Sequence, residues 1–113
     1  MNSPQDRSPH ILINTFTPVD GGIDALAAFQ IDEMQDMRAE AASHGWRGNE
    51  VYRTRDGASL IVVTRFRSVE AKTSWATTDR FRRHVERLEP LIHDAVSVPV
   101  TLLATHSGSD DTY

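Results

Sequence analysis

Three side chains in this sequence are placed to do chemistry: Asn14, Trp75 and His84. Asn14 interrupts an apolar alternation between Leu12 and Phe16, so in an extended strand the amide shares one face with two large apolar groups. An amide buried without partners costs about 1–3 kcal/mol. It is therefore either a structural group bonded to a helix end or ordered water, or an anchor in an apolar pocket for a carbonyl, an enolate or bound dioxygen. Trp75 and His84 lie on either side of Thr77-Thr78, where a helical run is interrupted and two short helices can splay to leave a cleft. Trp75 offers a flat wall with one N–H donor. His84, three residues after Phe81 and four before Leu88, sits at the border of a buried helical stripe. Each also reads as packing: Trp75 as a core or dimer contact, His84 as a boundary histidine. Tyr52 shares parity with Trp46 and lines either a pocket or a dimer seam. Arg80, Arg82 and Arg83, beside Asp79 and Glu86, read as a solvated helix face.

Other chemistry is narrowed by what is missing. Without cysteine there is no disulfide, thiolate nucleophile, iron–sulfur cluster or cysteine-based zinc site. His10, His44, His84, His93 and His106 show no short metal-binding spacing, so no metal site is expected. Gly21-Gly22 is only a pair and not a phosphate-binding loop, which argues against flavin or nicotinamide. Twelve Lys and Arg against 16 Asp and Glu give a net charge of -4, unsuited to general nucleic-acid binding. No run reaches the roughly 20 apolar residues that span a bilayer, and no signal-peptide pattern opens the chain. A cytoplasmic, soluble protein is the expectation.

The elements that must position these groups follow from periodicity. The 113 residues suit one domain: a flexible leader over 1–9, a folded unit over 10–106 and a disordered tail over 107–113. His10 to Thr17 is a strand stopped by Pro18 and Gly21-Gly22. Ile23 to Ser43 is an amphipathic helix with Ile23, Leu26, Met34, Met37 and Ala41 inward and Gly45 as its stop. Trp46 to Thr54 and Ala58 to Phe66 are strands joined by Arg55-Asp56-Gly57, a hairpin signal. Ser68 and Thr78 open two helical pieces, the second carrying Phe81, Val85, Leu88 and Ile92 around Pro90. Val96 to Thr105 is a last strand, with Pro99 marking a sheet edge or bulge.

The order βαββαβ predicts an α+β, ferredoxin-like fold with a four-stranded antiparallel sheet. Both faces of the sheet are apolar: Leu12, Phe16, Leu60, Val62 and Phe66 on one, and Ile11, Ile13, Ile61 and Val63 on the other. With helices covering one face, a second copy is expected to cover the other, giving a homodimeric α+β barrel.

From about Ile11 to Thr105 the chain resembles the antibiotic biosynthesis monooxygenase family of small dimeric α+β barrel proteins. The resemblance rests on Ile13-Asn14-Thr15-Phe16-Thr17, Arg55-Asp56-Gly57, Val63-Thr64-Arg65-Phe66-Arg67-Ser68, Glu70-Ala71 to Trp75, and Phe81-Arg82-Arg83-His84. It implies one of two chemistries. Oxygenases that turn aromatic polyketide intermediates such as anthrones into quinones use no cofactor. In them the substrate carbanion reduces dioxygen, helped by a first-strand Asn, matched by Asn14, and by a Trp near the end of the third strand, where this chain has Phe66. In the haem-degrading branch Asn14, Trp75 and His84 all match, and His84 would be the axial iron ligand. The expectation is a cofactor-independent, dioxygen-dependent monooxygenase acting on a small polycyclic, polyketide-like aromatic molecule. Asn14, Trp75 and His84 would be catalytic, and Leu12, Phe16, Tyr52, Phe66 and Phe81 would line the substrate. The alternatives are haem degradation, with haem and its iron held by His84, and a non-catalytic dimeric small-molecule-binding or stress-response protein.

Overall fold

The computed structural model of the chain describes residues 8–108. The leader and tail expected over 1–9 and 107–113 lie largely outside the described residues. The chain forms β1 (His10–Pro18), α1 (Ile23–Ser43), β2 (Trp46–Arg53), β3 (Leu60–Phe66), α2 (Val69–Ala76), α3 (Asp79–Leu88), a 3₁₀ turn (Glu89–Leu91) and β4 (Ile92–Val100). The strands make one antiparallel sheet in the order β2-β3-β1-β4. This is the α+β, ferredoxin-like arrangement the element order predicts.

Local chemistry accounts for the boundaries. Asp56 closes the β2–β3 hairpin by accepting from the Ala58 N–H at 3.0 Å and the Thr54 hydroxyl at 2.7 Å. Gly57 follows at φ 72°, a conformation that Cβ disfavours in other residues. Ser68 and Thr78 cap α2 and α3, each accepting a backbone N–H three residues on at 3.1 Å. The Thr78 cap divides what would otherwise be one helix, and its hydroxyl also donates to the carbonyl of Trp75 at 2.8 Å.

Two expectations need correction. The last strand starts at Ile92 and ends at Val100, several residues earlier than Val96 to Thr105. Its register is set by β1, whose Ile11 pairs with Val100 and whose Pro18 pairs with Ile92, so the ladder begins as soon as the 3₁₀ turn releases the chain. Residues 101–108 are exposed and outside the sheet. Pro99 does lie on an edge strand, where a missing N–H is tolerated. The second correction concerns Trp46 and Tyr52. Trp46 pairs with Phe66 but Gly48 pairs with Arg65, so Arg47 is an extra residue and the strand changes parity there. Gly48, at φ 145°, carries the bulge. Trp46 faces the helices, whereas Tyr52, paired with Ile61, faces the opposite side and is 53% exposed.

The core beneath the helices is in two clusters. Phe16, Leu26, Leu60, Val62 and Leu88 form one, and Met37, Ala41, Phe66, Ala71 and Trp75 form the other. The opposite sheet face carries Ile13, Val63, Tyr52, Val96 and Val98, the last three exposed. No helix of the described residues is long and apolar enough to cross a membrane.

Candidate active site

Between the two core clusters the helices stand off the sheet and leave a cavity of about 270 Å³. Its floor is strand parity made visible. Leu12, Asn14 and Phe16 of β1 point into it beside Val62, Thr64 and Phe66 of β3, and Ser97 of β4, which pairs with Asn14, completes the floor. Its roof is Gln30, Met34 and Met37 of α1, Trp75 of α2, and Phe81, His84 and Leu88 of α3. Seven of the eight residues expected at a site thus meet around one hollow, and Tyr52 is the exception. A pocket role for Tyr52 is corrected by the β2 bulge, which carries the phenol to the other face of the sheet.

Asn14 is half-buried and makes no side-chain hydrogen bond among the described residues. The helix-end bond of a structural amide is therefore not what holds it, and the residue lines the cavity with its amide donor and acceptor unpaired by protein among the described residues. Trp75, 2% exposed, meets the edge of Phe81 at 5.9 Å between ring centres and is braced behind by His44 at the same separation. Those contacts fix it as a rigid wall.

His84 is held from three directions. Its ring stacks on Phe29 at 5.5 Å and 11°, and Phe81 lies 6.1 Å away at a tilt. Nδ1 lies 3.1 Å from Oε1 of Glu33. Glu33 is itself buried and takes a two-pronged bond from Arg80, at 3.2 and 3.1 Å, and one from Arg87 at 3.3 Å. Arg80 also reaches Asp36 at 3.4 Å. Arg80 therefore does not belong to a solvated face. It is 7% exposed, because its guanidinium turns inward to meet Glu33, while Arg82 stays on the surface with Asp79.

Sequence reasoning passed over Glu33 and Gln30 because they are polar. The signal was their spacing: Leu26, Gln30, Glu33, Met37 and Ala41 form one continuous buried stripe of α1. Lys72 also lines the cavity and has no ion-pair partner among the described residues.

The electrostatics follow from burial and these contacts. Desolvation is the largest influence on His84 and holds its pKa below the ordinary 6.5, although the hydrogen bond and charge of Glu33 pull upward; Arg80 and Arg87 add to the lowering. For Glu33, desolvation acts upward but is outweighed by hydrogen bonds and charge from Arg80 and His84, so the carboxyl titrates below its ordinary 4.5. Near neutral pH the pair is a carboxylate and a neutral imidazole. A carboxylate only accepts, so Nδ1 of His84 carries the proton and donates it, and Nε2 keeps a lone pair.

Both shifts give stability the same pH dependence. As pH falls below 6.5, the unfolded chain takes up a proton at His84 that the folded chain resists; below 4.5, Glu33 adds a second loss as pH falls through its lowered value. Thermal unfolding at a series of pH values is expected to show this stability present above about pH 6.5 and eroding below it. In His84→Gln the loss that begins near 6.5 is expected to shrink to the part from His10, which burial and then Lys72 also hold below 6.5, while the one beginning near 4.5 remains.

No protein-family model and no curated protein matches the chain. Solved structures do. Rv0793 from Mycobacterium tuberculosis superposes with a TM-score of 0.73 at 24% identity, covering 88% of this chain and 100% of that one. SnoaB from Streptomyces nogalater, described as a cofactor-independent oxygenase, gives 0.73 at 18% identity over 87% of this chain and 96% of its own. A putative antibiotic biosynthesis monooxygenase from Bacteroides thetaiotaomicron gives 0.73 at 10% identity over 86% and 91%. With TM-scores of 0.73 over nearly the whole of each chain, the chain has the α+β, ferredoxin-like fold of the antibiotic biosynthesis monooxygenases.

Proposed function

We propose that the protein is a dioxygen-dependent monooxygenase that uses no cofactor and oxidises a small polycyclic phenol of the anthrone type in the cytoplasm. One observation carries the reading: a largely apolar cavity of about 270 Å³ whose floor presents the amide of Asn14, free of protein partners among the described residues. SnoaB, a cofactor-independent oxygenase, supports it by sharing the fold. In an anthrone, loss of a proton from the methylene leaves an electron pair delocalised into the ring carbonyl. That carbanion reduces dioxygen and combines with it to a carbon-bound hydroperoxide. Loss of the second methylene proton with cleavage of the O–O bond gives the quinone carbonyl and water. Both electron pairs come from the substrate's two C–H bonds, so no other reductant enters. Asn14 donates to the developing oxyanion, Trp75 and Phe81 hold the ring flat, and Leu12, Phe16 and Phe66 exclude water.

The cavity lies just below the roughly 300–1,000 Å³ usual for drug-sized ligands, which favours two or three fused rings over a tetrapyrrole. Lys72 on the lining favours a phenolate or carboxylate substituent. The test is oxygen consumption with a hydroxyanthrone, with one dioxygen used per quinone formed. A hemin titration decides the competing reading: a Soret band that disappears in His84→Ala would assign haem as substrate. Silence in both assays would leave a binding protein.

We also propose that a second copy covers the free sheet face, since Tyr52, Val96 and Val98 are exposed there beside Ile13 and Val63. Sedimentation is expected to give a dimer at micromolar concentration, and Val98→Glu is expected to give a folded monomer. A monomeric wild type would overturn this step.

A further inference from the structure

The proposed oxidation starts with removal of a proton from carbon, and the groups considered so far bind or enclose without accepting one. Among the cavity-lining residues, His84 and Lys72 carry ionisable side chains. An ammonium cannot accept a proton, whereas a neutral imidazole can. We infer that His84 is the base through Nε2, and that Glu33, which does not line the cavity, is the positioning residue that makes it one.

The geometry supports each part. Glu33 fixes the tautomer: its Oε1 lies 3.1 Å from Nδ1 and, as an acceptor only, requires the proton there. Nε2 has no hydrogen-bond partner among the described residues and is not fully buried, on a side chain that lines the cavity. Phe29 and Phe81 hold the ring plane, so little reorganisation remains when the proton arrives. The charged groups around the ring are Glu33 on α1, with Asp36 behind it through Arg80, Arg80 and Arg87 on α3, and Lys72 on α2; the nearby sheet residues Asn14 and Ser97 are uncharged. The two arginines saturate Glu33 and keep it ionised, so it orients the imidazole and stabilises the imidazolium without taking the proton itself. The balance is closed: the C–H proton moves to Nε2, the electron pair stays on the substrate, and the imidazolium returns its proton to the peroxide oxygen.

This inference rests on the oxygenase reading, and its test separates the two. In the wild-type protein, a two-bond proton–nitrogen NMR correlation reads the His84 tautomer without substrate; Nδ1–H is expected, and Nε2–H would overturn the proposal. Glu33→Gln is the variant to assay. Its single carbonyl is drawn to the arginines, which cannot change their donors, so its NH₂ faces Nδ1 and His84 switches to the Nε2–H form. Oxygen consumption on a hydroxyanthrone is expected to fall about a hundredfold or more, mainly in kcat with KM little changed, and the acid limb of the pH profile is expected to move to lower pH. A Glu33→Gln enzyme that keeps its rate and pH profile while Asn14→Ala loses activity would sink the Glu33–His84 unit and leave the oxygenase standing. No uptake by the wild-type protein would sink both.

Discussion

Asn14→Ala is expected to lower the rate of oxygen consumption on a hydroxyanthrone by about a hundred- to a thousandfold, the usual loss when one oxyanion-stabilising donor is removed. The amide sits on the middle of β1, between Val62 and Ser97 of the flanking strands. Its side chain makes no bond among the described residues, so truncation breaks no internal contact and the thermal midpoint should change little. That contrast is the useful readout: a large fall in kcat with an unchanged melting curve. If the variant instead unfolds at lower temperature and keeps its specific activity, the amide is structural and the oxygenase reading loses its anchor.

Arg80→Met carries the largest expected loss of stability, about 3 kcal/mol, at the lower end of the range for breaking a buried ion pair. It lies at the lower end because Glu33 would still receive bonds from Arg87 and His84. At about 4–8 °C per kcal/mol for a domain of this size, Tm falls by roughly 12–24 °C. The cost comes from stranding a buried carboxylate, not from losing a favourable attraction of that size. Removing both charges in Glu33→Leu with Arg80→Met should therefore recover most of the stability, because an apolar pair of similar volume is often neutral or better. The same double variant should still oxidise the hydroxyanthrone about a hundredfold or more slowly than the wild type, since His84 has lost its orienting carboxylate. Denaturant unfolding of the two single variants and the double closes the cycle. Equal stability of Arg80→Met and wild type would mean the pair is not formed.

The Glu33–Arg80 pair also shows why part of the site was hidden in the sequence. The two residues are 47 positions apart, and although Glu33 falls on the spacing of the buried stripe of α1, nothing near it in sequence points to its counter-charge. Read alone, a charged residue on a helix belongs to water. Only when α1 and α3 pack side by side does each supply the counter-charge that makes the other's burial tolerable. The pocket reading of Tyr52 failed for a different reason. One extra residue at Arg47 reverses strand parity, and whether two strands pair with or without a bulge depends on the partner strand.

What the sequence determined by itself was local: the alternation that sets Asn14 on the face of Leu12 and Phe16, the serine cap that starts one helix and the threonine cap that starts the next, and the Asp56-Gly57 turn. These follow from near-neighbour sterics and hydrogen bonds, and their order was enough to specify the ferredoxin-like topology. The tertiary structure alone decided the register of β4 against β1, the bulge at Arg47, the cavity between the two core clusters, and the buried charges behind His84. Each of these depends on side chains or strands far apart in the chain, whose mutual desolvation and pairing energies exist only once the elements have packed.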